Sequence, residues 1–293
     1  MKLLIILFFV FLSCCSYQTI TEKAVLQTTD GMQRAFKRLN NFEHAKQAGP
    51  ALLVQLDGLV LNFPDNEKIL LQAAEMNCSY PIAFIEPNDL DKNKEWAIYL
   101  YNKALDYSLD ILFKVKGFKE AYNNKNIEKF RLFLKNIDKK YARALFWAGN
   151  SIAMMASIDM ENFDNINKLE KAKAIMDCII KLDERTHFAG AHLFWAIYYA
   201  TNTELSGEGS ISKSKYHFDK VFKLTNNKYL PAYYYFAGKY CVQAQNKKLF
   251  ESTIEKILHK AGKKYDPDLN LINKIAAHKT KELKSKQMEL FLE

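Results

Sequence analysis

The side chains best equipped to meet a ligand are aromatic, and many of them crowd into one uncharged run. Between Thr186 and Thr203 there is no Asp, Glu, Lys or Arg, while Phe188, Phe194, Trp195, Tyr198 and Tyr199 stand there with His192 among them. Trp147 lies in a second such stretch, ALFWAGN at 144–150, and Tyr233, Tyr234 and Tyr235 follow one another in a third. Aromatic walls hold apolar ligands, and tyrosine hydroxyls fix orientation. Trp147, Phe194, Trp195, Tyr198, Tyr199, Tyr233 and Tyr234 are therefore the candidate lining of a ligand passage. The same rings would also serve as ordinary packing between helices, and both readings stand at this point. Successive helical residues turn by about 100°, so Tyr233, Tyr234 and Tyr235 cannot all face inward. At least one must meet a groove, a partner or solvent.

Other chemistries find little support. His187 and His192 are five residues apart, whereas two ligands on one helical face need a spacing of four, so no metal pair is expected. Cys78, Cys178 and Cys241 stand singly in apolar surroundings with no CxxC or Cys/His spacing, which reads as small buried hydrophobes. Asn77 and Asn150 read as satisfied buried amides. HExxH, GxSxG, GxxxxGK[ST] and dinucleotide-type glycine loops are all missing from the sequence. The Gly-rich patch at 206–210 joins two helices and is a loop, not a phosphate cradle. No catalytic residue and no cofactor is expected, and the chain does not read as an enzyme.

The front end bears on location. Met1-Lys2, the apolar run Leu3 to Leu12 and then Ser13-Cys14-Cys15 read as a signal peptide over residues 1–13. Ser13 before Cys14 resembles a bacterial lipobox. That resemblance implies cleavage before Cys14 and lipidation there, with Cys15 as the alternative; each buried methylene of an acyl chain adds about 0.8 kcal/mol to membrane affinity. Residues 14–32 are polar, Thr-rich and weakly periodic, and are expected to form a lipidated flexible tether.

The elements that must position the rings are helices. Only 10 Gly and 6 Pro occur in 293 residues, and no stretch reads as a strand. Apolar spacing of three and four predicts helices from Ala51 to Phe63, Ile69 to Tyr80, Trp96 to Phe113, Ile127 to Ile137, Tyr141 to Ile158 and Leu169 to Leu182. It predicts further helices from Phe188 to Ala200, Ser212 to Leu224, Leu230 to Ala244, Phe250 to Ala261 and Leu269 to Leu292. The Phe188 to Ala200 segment, apolar all round, reads as the central buried helix. Small residues at Ala148-Gly149, Ala196 and Ala237-Gly238 each precede a helix with large apolar positions, Ile175/Cys178, Phe218/Val221 and Ile254/Ile257. Such alternation is the logic of stacked helix pairs. The fold class is thus all-α, with tetratricopeptide-like helix-pair repeats forming one α-solenoid-like domain over residues 33–293. The net charge of +9 is spread over amphipathic faces where Lys alternates with Glu and Asp, so no nucleic-acid partner is expected.

The blocks LLVQLDGLVLNFPDN, LLQAAEMNCSY and AFIE between Ala51 and Glu86 resemble the opening repeat of the T component of tripartite ATP-independent periplasmic (TRAP) transporters. ALFWAGN, AGAHLFWAIYYA, Tyr216 to Phe222 and LNLINKIAAHKTKELKSKQMELF resemble later blocks of that family, in order. Ile197 and the Gly207-Glu208-Gly209 turn depart from its pattern. The resemblance implies a non-catalytic periplasmic lipoprotein, lipid-anchored to a bacterial membrane. It also implies a homotrimer that docks the periplasmic solute-binding (P) subunit and offers a small organic solute an aromatic-lined passage. The alternative reading is a tetratricopeptide-like scaffold lipoprotein of envelope assembly that binds peptide segments.

Overall fold

The computed structural model describes residues 22–86, 90–159, 162–202, 210–263 and 266–291. The signal peptide, Cys14, Cys15 and the 206–209 part of the Gly-rich patch lie outside the described residues. Among the described residues there are only helices and their connections, with no strand, so the fold is all-α.

The first helix, α1 (22–37), is a departure from the sequence reading, because a flexible tether was expected through residue 32. Periodicity missed it for a physical reason: only Met32 and Phe36 of α1 pack on the apolar core, and the rest of its hold is polar, onto α3 (Glu67–Phe84). Asp30 accepts from Lys68 and from Gln72 Nε2 at 2.5 and 2.7 Å, and Lys37 meets Glu75 at 2.7 Å. The rest of the expected tether, residues 14–21, lies outside the described residues.

α2 (Phe42–Asn62) starts at an Asn41 cap. α3 starts at Asn66, whose side chain accepts from the backbone N–H of Lys68 and Ile69, as the Pro64-Asp65-Asn66 turn suggested. Pro81 is accommodated inside α3, which runs on to Phe84. α4 (Leu90–Leu112) follows, then the short α5 (Phe118–Asn123) and α6 (Ile127–Leu134). α7 (Ala142–Ile158) and α8 (Phe163–Asp183) pack as a pair in which Gly149 lies against Ile175 and Met176. A Cβ at Gly149 would sit 3.0 Å from Ile175 Cγ2, so the small residue sets the close approach.

α9 (Thr186–Thr201) and α10 (Ile211–Leu224) form the next pair, with Ser214 Oγ donating to the Ala196 carbonyl at 2.7 Å. The start of α9 corrects the reading of an unbroken helix from Phe188. His187, Phe188 and Ala189 all have positive φ, at 44°, 56° and 60°, so regular right-handed turns begin only at Gly190. Left-handed backbone costs about 1–2 kcal/mol per residue with a Cβ, so this turn holds several kcal/mol of strain that packing must offset. α9 is also not buried all round: Trp195 and Ala196 are buried, while Phe194, Tyr198 and Tyr199 are half-buried.

α11 (Leu230–Tyr235) passes into a π-helical turn at Phe236–Cys241, where Gly238 faces Leu283 rather than the next helix. α12 (Lys247–Ala261), α13 (Asn270–Ser285) and α14 (Gln287–Leu290) complete the chain. One large apolar core joins α2 to α8, and smaller clusters serve α9 to α13.

The array closes on itself. His278 of α13 stacks on Phe42 of α2 with ring centroids 3.9 Å apart, and Asn270 Nδ2 donates to the Arg38 and Leu39 carbonyls at 3.1 and 3.0 Å. Arg38 pairs with Asp268 at 2.8 Å, and Leu271 and Ile275 enter the N-terminal core. Cys78, Cys178 and Cys241 are buried free thiols, and burial pushes them up to about 12, 11 and 12.

Candidate functional site

The structure distributes the sequence-predicted rings over four places rather than along one wall. Trp147 is buried in the N-terminal core against Phe146 and His187, at 4.9 and 4.4 Å. Phe194, Trp195, Tyr198 and Tyr199 form a continuous cluster on α9, with neighbouring centroids 5.2–6.0 Å apart, that ends on His217 of α10. Lys173 and Lys213 lie over Tyr198 and Tyr199 at 5.1 and 5.2 Å, so this cluster is a shelf covered by cations. Tyr233 is buried, stacks on Phe222 at 4.2 Å and donates to Asn227. Tyr234 and Tyr235 are half-buried, as the 100° turn per residue required of at least one of the three.

Tyr234 leads to a polar group that the sequence reading did not assemble. Glu86, two residues past the end of α3, is half-buried and accepts a hydrogen bond from the Tyr101 hydroxyl of α4. Burial raises its carboxyl above the usual range, against the pull of the Tyr101 bond and of the Lys279 and Lys239 charges. Lys279 of α13 is 7 % exposed, and burial pushes its ammonium down to about 8 although Glu86 and Glu282 favour the charge. Its Nζ donates to the Ile82 carbonyl, and it lies 5.8 Å from the Tyr234 ring. Glu86 and Lys279 feel each other, yet they are not within ion-pairing distance.

The hydroxyls of Tyr234 and Tyr235 take no protein partner among the described residues. Nor are they among the sealed, unpartnered side-chain atoms, which are Gln72 Oε1, Asn77 Oδ1, Ser151 Oγ and Trp195 Nε1. Both residues keep some solvent contact while burial pushes their hydroxyls up, Tyr234 to about 12 and Tyr235 well above the tyrosine range. Asn150 donates to Cys78 Sγ at 3.3 Å nearby; Asn77 donates to the Ala73 carbonyl at 2.9 Å but leaves its oxygen unpaired, so only half of that amide is satisfied.

The strained turn before Gly190 bridges the two halves of the molecule. His187 is gripped by Phe146 and Trp147 of α7, and Phe188 stacks on Tyr229, just before α11, at 4.7 Å. Burial lowers His187 to about 4, so it is neutral at physiological pH. His187 and His192 do not meet. His192 instead pairs with His217, Nδ1 to Nδ1 at 2.9 Å, and with Glu184 at 3.3 Å. Among the described residues no group of three or more His, Cys, Asp or Glu is placed to hold a metal.

A sequence signal for the polar group did exist. Glu86 is the first charged residue after the uncharged run from Met76 to Ile85. Lys279 continues the apolar stripe Leu271–Ile275 at the same spacing of four. A charge on a buried stripe calls for an explanation.

Helix pairs packed in sequence, with the last long helix returning to the first ones, define an all-helical subunit. The sequence model of the TRAP transporter T-component family matches residues 40–291, nearly the whole helical body. The chain belongs to that family and is a TRAP transporter subunit, associated with the other subunits of such a system. No curated protein matches it. No helix among the described residues is long and apolar enough to cross a membrane.

Proposed function

We propose that the chain is a periplasmic lipoprotein, anchored through Cys14 or alternatively Cys15, that docks the solute-binding (P) subunit and gives a small organic solute a path through its interior. Family membership supports the transport role. The single observation that supports the path is that Tyr234 and Tyr235 are half-buried with hydroxyls that take no protein partner among the described residues. Of the rings expected to line it, Tyr234 is the one that fits. Trp147 and Tyr233 serve packing, and the α9 shelf with its lysines suits contact with a partner better than a lining.

Sedimentation of the purified chain with its cognate solute-binding subunit tests the docking. A complex is expected with a dissociation constant on the order of 10 μM or tighter, typical of a transient assembly. Independent sedimentation of the two proteins at several times that concentration would refute it. Tyr235→Trp, which adds bulk beside Tyr234, is expected to slow solute uptake in cells while leaving the complex intact; unchanged uptake would refute the path.

A further inference from the structure

The seam where the last helices return to the first ones holds a cavity of about 210 Å³. A single water needs only about 10–15 Å³, so there is room for a small molecule. Its walls come from three stretches of chain: Arg38 just past α1, Lys260 and Lys263 at the end of α12, and Asp266, Asn270 and Asn273 leading into and along the first turn of α13. Three cations thus line it with one carboxylate. The cations are short of partners. Arg38 gives its Nε–H to Asp268 at 2.8 Å, and the N–H groups of its two terminal nitrogens have no acceptor among the described residues. Lys260 Nζ gives one N–H to the Asn227 carbonyl at 3.0 Å and keeps the others. Lys263 is exposed, and its ammonium has no partner among the described residues. Burial and the charges of Lys256 and Lys263 press the Lys260 ammonium below the usual lysine value, as happens where cations crowd together with little negative charge among them.

The other polar walls are already engaged. Asn270 Nδ2 donates to the Arg38 and Leu39 carbonyls. Asn273 donates to the Lys228 carbonyl at 3.0 Å and accepts from the Leu230 N–H at 2.9 Å. Asp266 accepts from the Asp268 N–H at 3.0 Å. What the cavity still offers a guest is therefore positively charged N–H donors, from both sides of the seam. The guest must be an anion, and its shape is restricted too. A carboxylate has two oxygens in one plane, enough for one guanidinium fork. A phosphate has oxygens at the corners of a tetrahedron and can meet three cationic side chains that arrive from different directions. We propose that this cavity binds a phosphate group, free or as a small monoester, held by Arg38, Lys260 and Lys263. Arg38 supplies the fork, and the two lysines bond the remaining oxygens. The bound anion ties the end of α1 to the end of α12, so it fastens the same seam as the Arg38–Asp268 pair. Tyr234 and Tyr235 are not among its walls, so the site stands independently of the solute path.

Calorimetric titration of the purified chain at pH 7, with ionic strength held constant by sodium chloride, tests this with inorganic phosphate, glycerol 3-phosphate and succinate. Both phosphates are expected to bind with a dissociation constant on the order of 1 mM or tighter, and succinate about tenfold more weakly. Tighter binding of glycerol 3-phosphate than of inorganic phosphate assigns the site to monoesters; parity or the reverse order assigns it to free phosphate. Lys263→Gln and Lys260→Met should each weaken phosphate about fivefold. Asp266→Asn keeps an oxygen for the Asp268 N–H and removes the acid from the wall, so it should tighten phosphate about threefold. Thermal melts without phosphate show whether the variants are folded, and Lys263, being exposed, decides the matter if Lys260→Met melts early. Failure of both phosphates to bind at about 10 mM, succinate binding as tightly as phosphate, or a phosphate affinity unmoved by Lys263→Gln would overturn the site.

Discussion

Lys279 offers a quantitative handle on the interior, because its burial moves the ammonium from the usual lysine value of 10.5 to about 8. In the unfolded chain this amine keeps its proton to about pH 10.5, and in the folded protein it releases it near 8. Between those values the unfolded state binds more protons, so folding stability rises with pH. Each pH step across the gap is worth about 1.4 kcal/mol. The penalty for holding the charged lysine is therefore about 3 kcal/mol at pH 7 and falls to about 1 kcal/mol at pH 10. Lys279→Met has no such term. The variant is expected to lead the parent at pH 7, by less than the full penalty because it forfeits the bond to the Ile82 carbonyl, worth about 1 kcal/mol. From pH 7 to 10 that lead should shift by about 2.5 kcal/mol in favour of the parent. Above pH 10 the tyrosines, Tyr234 among them, dominate with the opposite sign, since their folded values lie higher than in the unfolded chain. Comparing parent with variant cancels most of that contribution. Urea unfolding followed by circular dichroism at pH 7, 8, 9 and 10 gives the numbers. Parallel stability–pH curves for the two proteins would show that Lys279 is not confined as described.

Gly190→Ala places a Cβ 2.3 Å from Phe146 Cε2, on a ring already held by Trp147 and His187. We expect a loss of about 1–3 kcal/mol in urea unfolding, partly restored by a second change, Phe146→Leu; a variant as stable as the parent contradicts the close contact. Palmitate labelling in a bacterial host is expected for the parent and lost in Cys14→Ala, Cys15→Ala; persistent label in that variant removes the anchor. Sedimentation should give about three times the monomer mass for the proposed trimer, and a monomer at micromolar concentration counts against it.

The helices were legible where apolar spacing is regular: α7, α10 and α12 fall close to their predicted spans, whereas α2 and α8 start nine and six residues before theirs, in polar first turns that carry little apolar period. The pairing of Gly149 with Ile175 followed from the alternation of small and large residues. Three features were hidden for different reasons. α1 is secured by Asp30, Lys37 and Glu22 as much as by Met32 and Phe36, so its hydrophobic period is too short to announce it. The left-handed turn at His187–Ala189 uses residues with no intrinsic preference for it, and only the contacts of Phe146 and Tyr229 make it tenable. Glu86 and Lys279 each stand out as a charge on an apolar stretch, but nothing in one sequence says that residues nearly two hundred positions apart come near each other. The aromatic lining was over-read, because rings that pack a core and rings that face a recess obey the same periodicity.

The junction of α13 with α1 and α2 sets a limit that an open solenoid escapes. A row of helix pairs can lengthen by one pair without disturbing the rest, but a ring cannot, because an added pair would prise Phe42 from His278 and Asn270 from its two carbonyls. The number of pairs is thus fixed, and insertions must go to the loops. The clasp also joins residues some 230 positions apart, so it forms late and at high entropic expense, and its outer bond, Arg38 to Asp268, is open to water. When the ring yields, it yields there first.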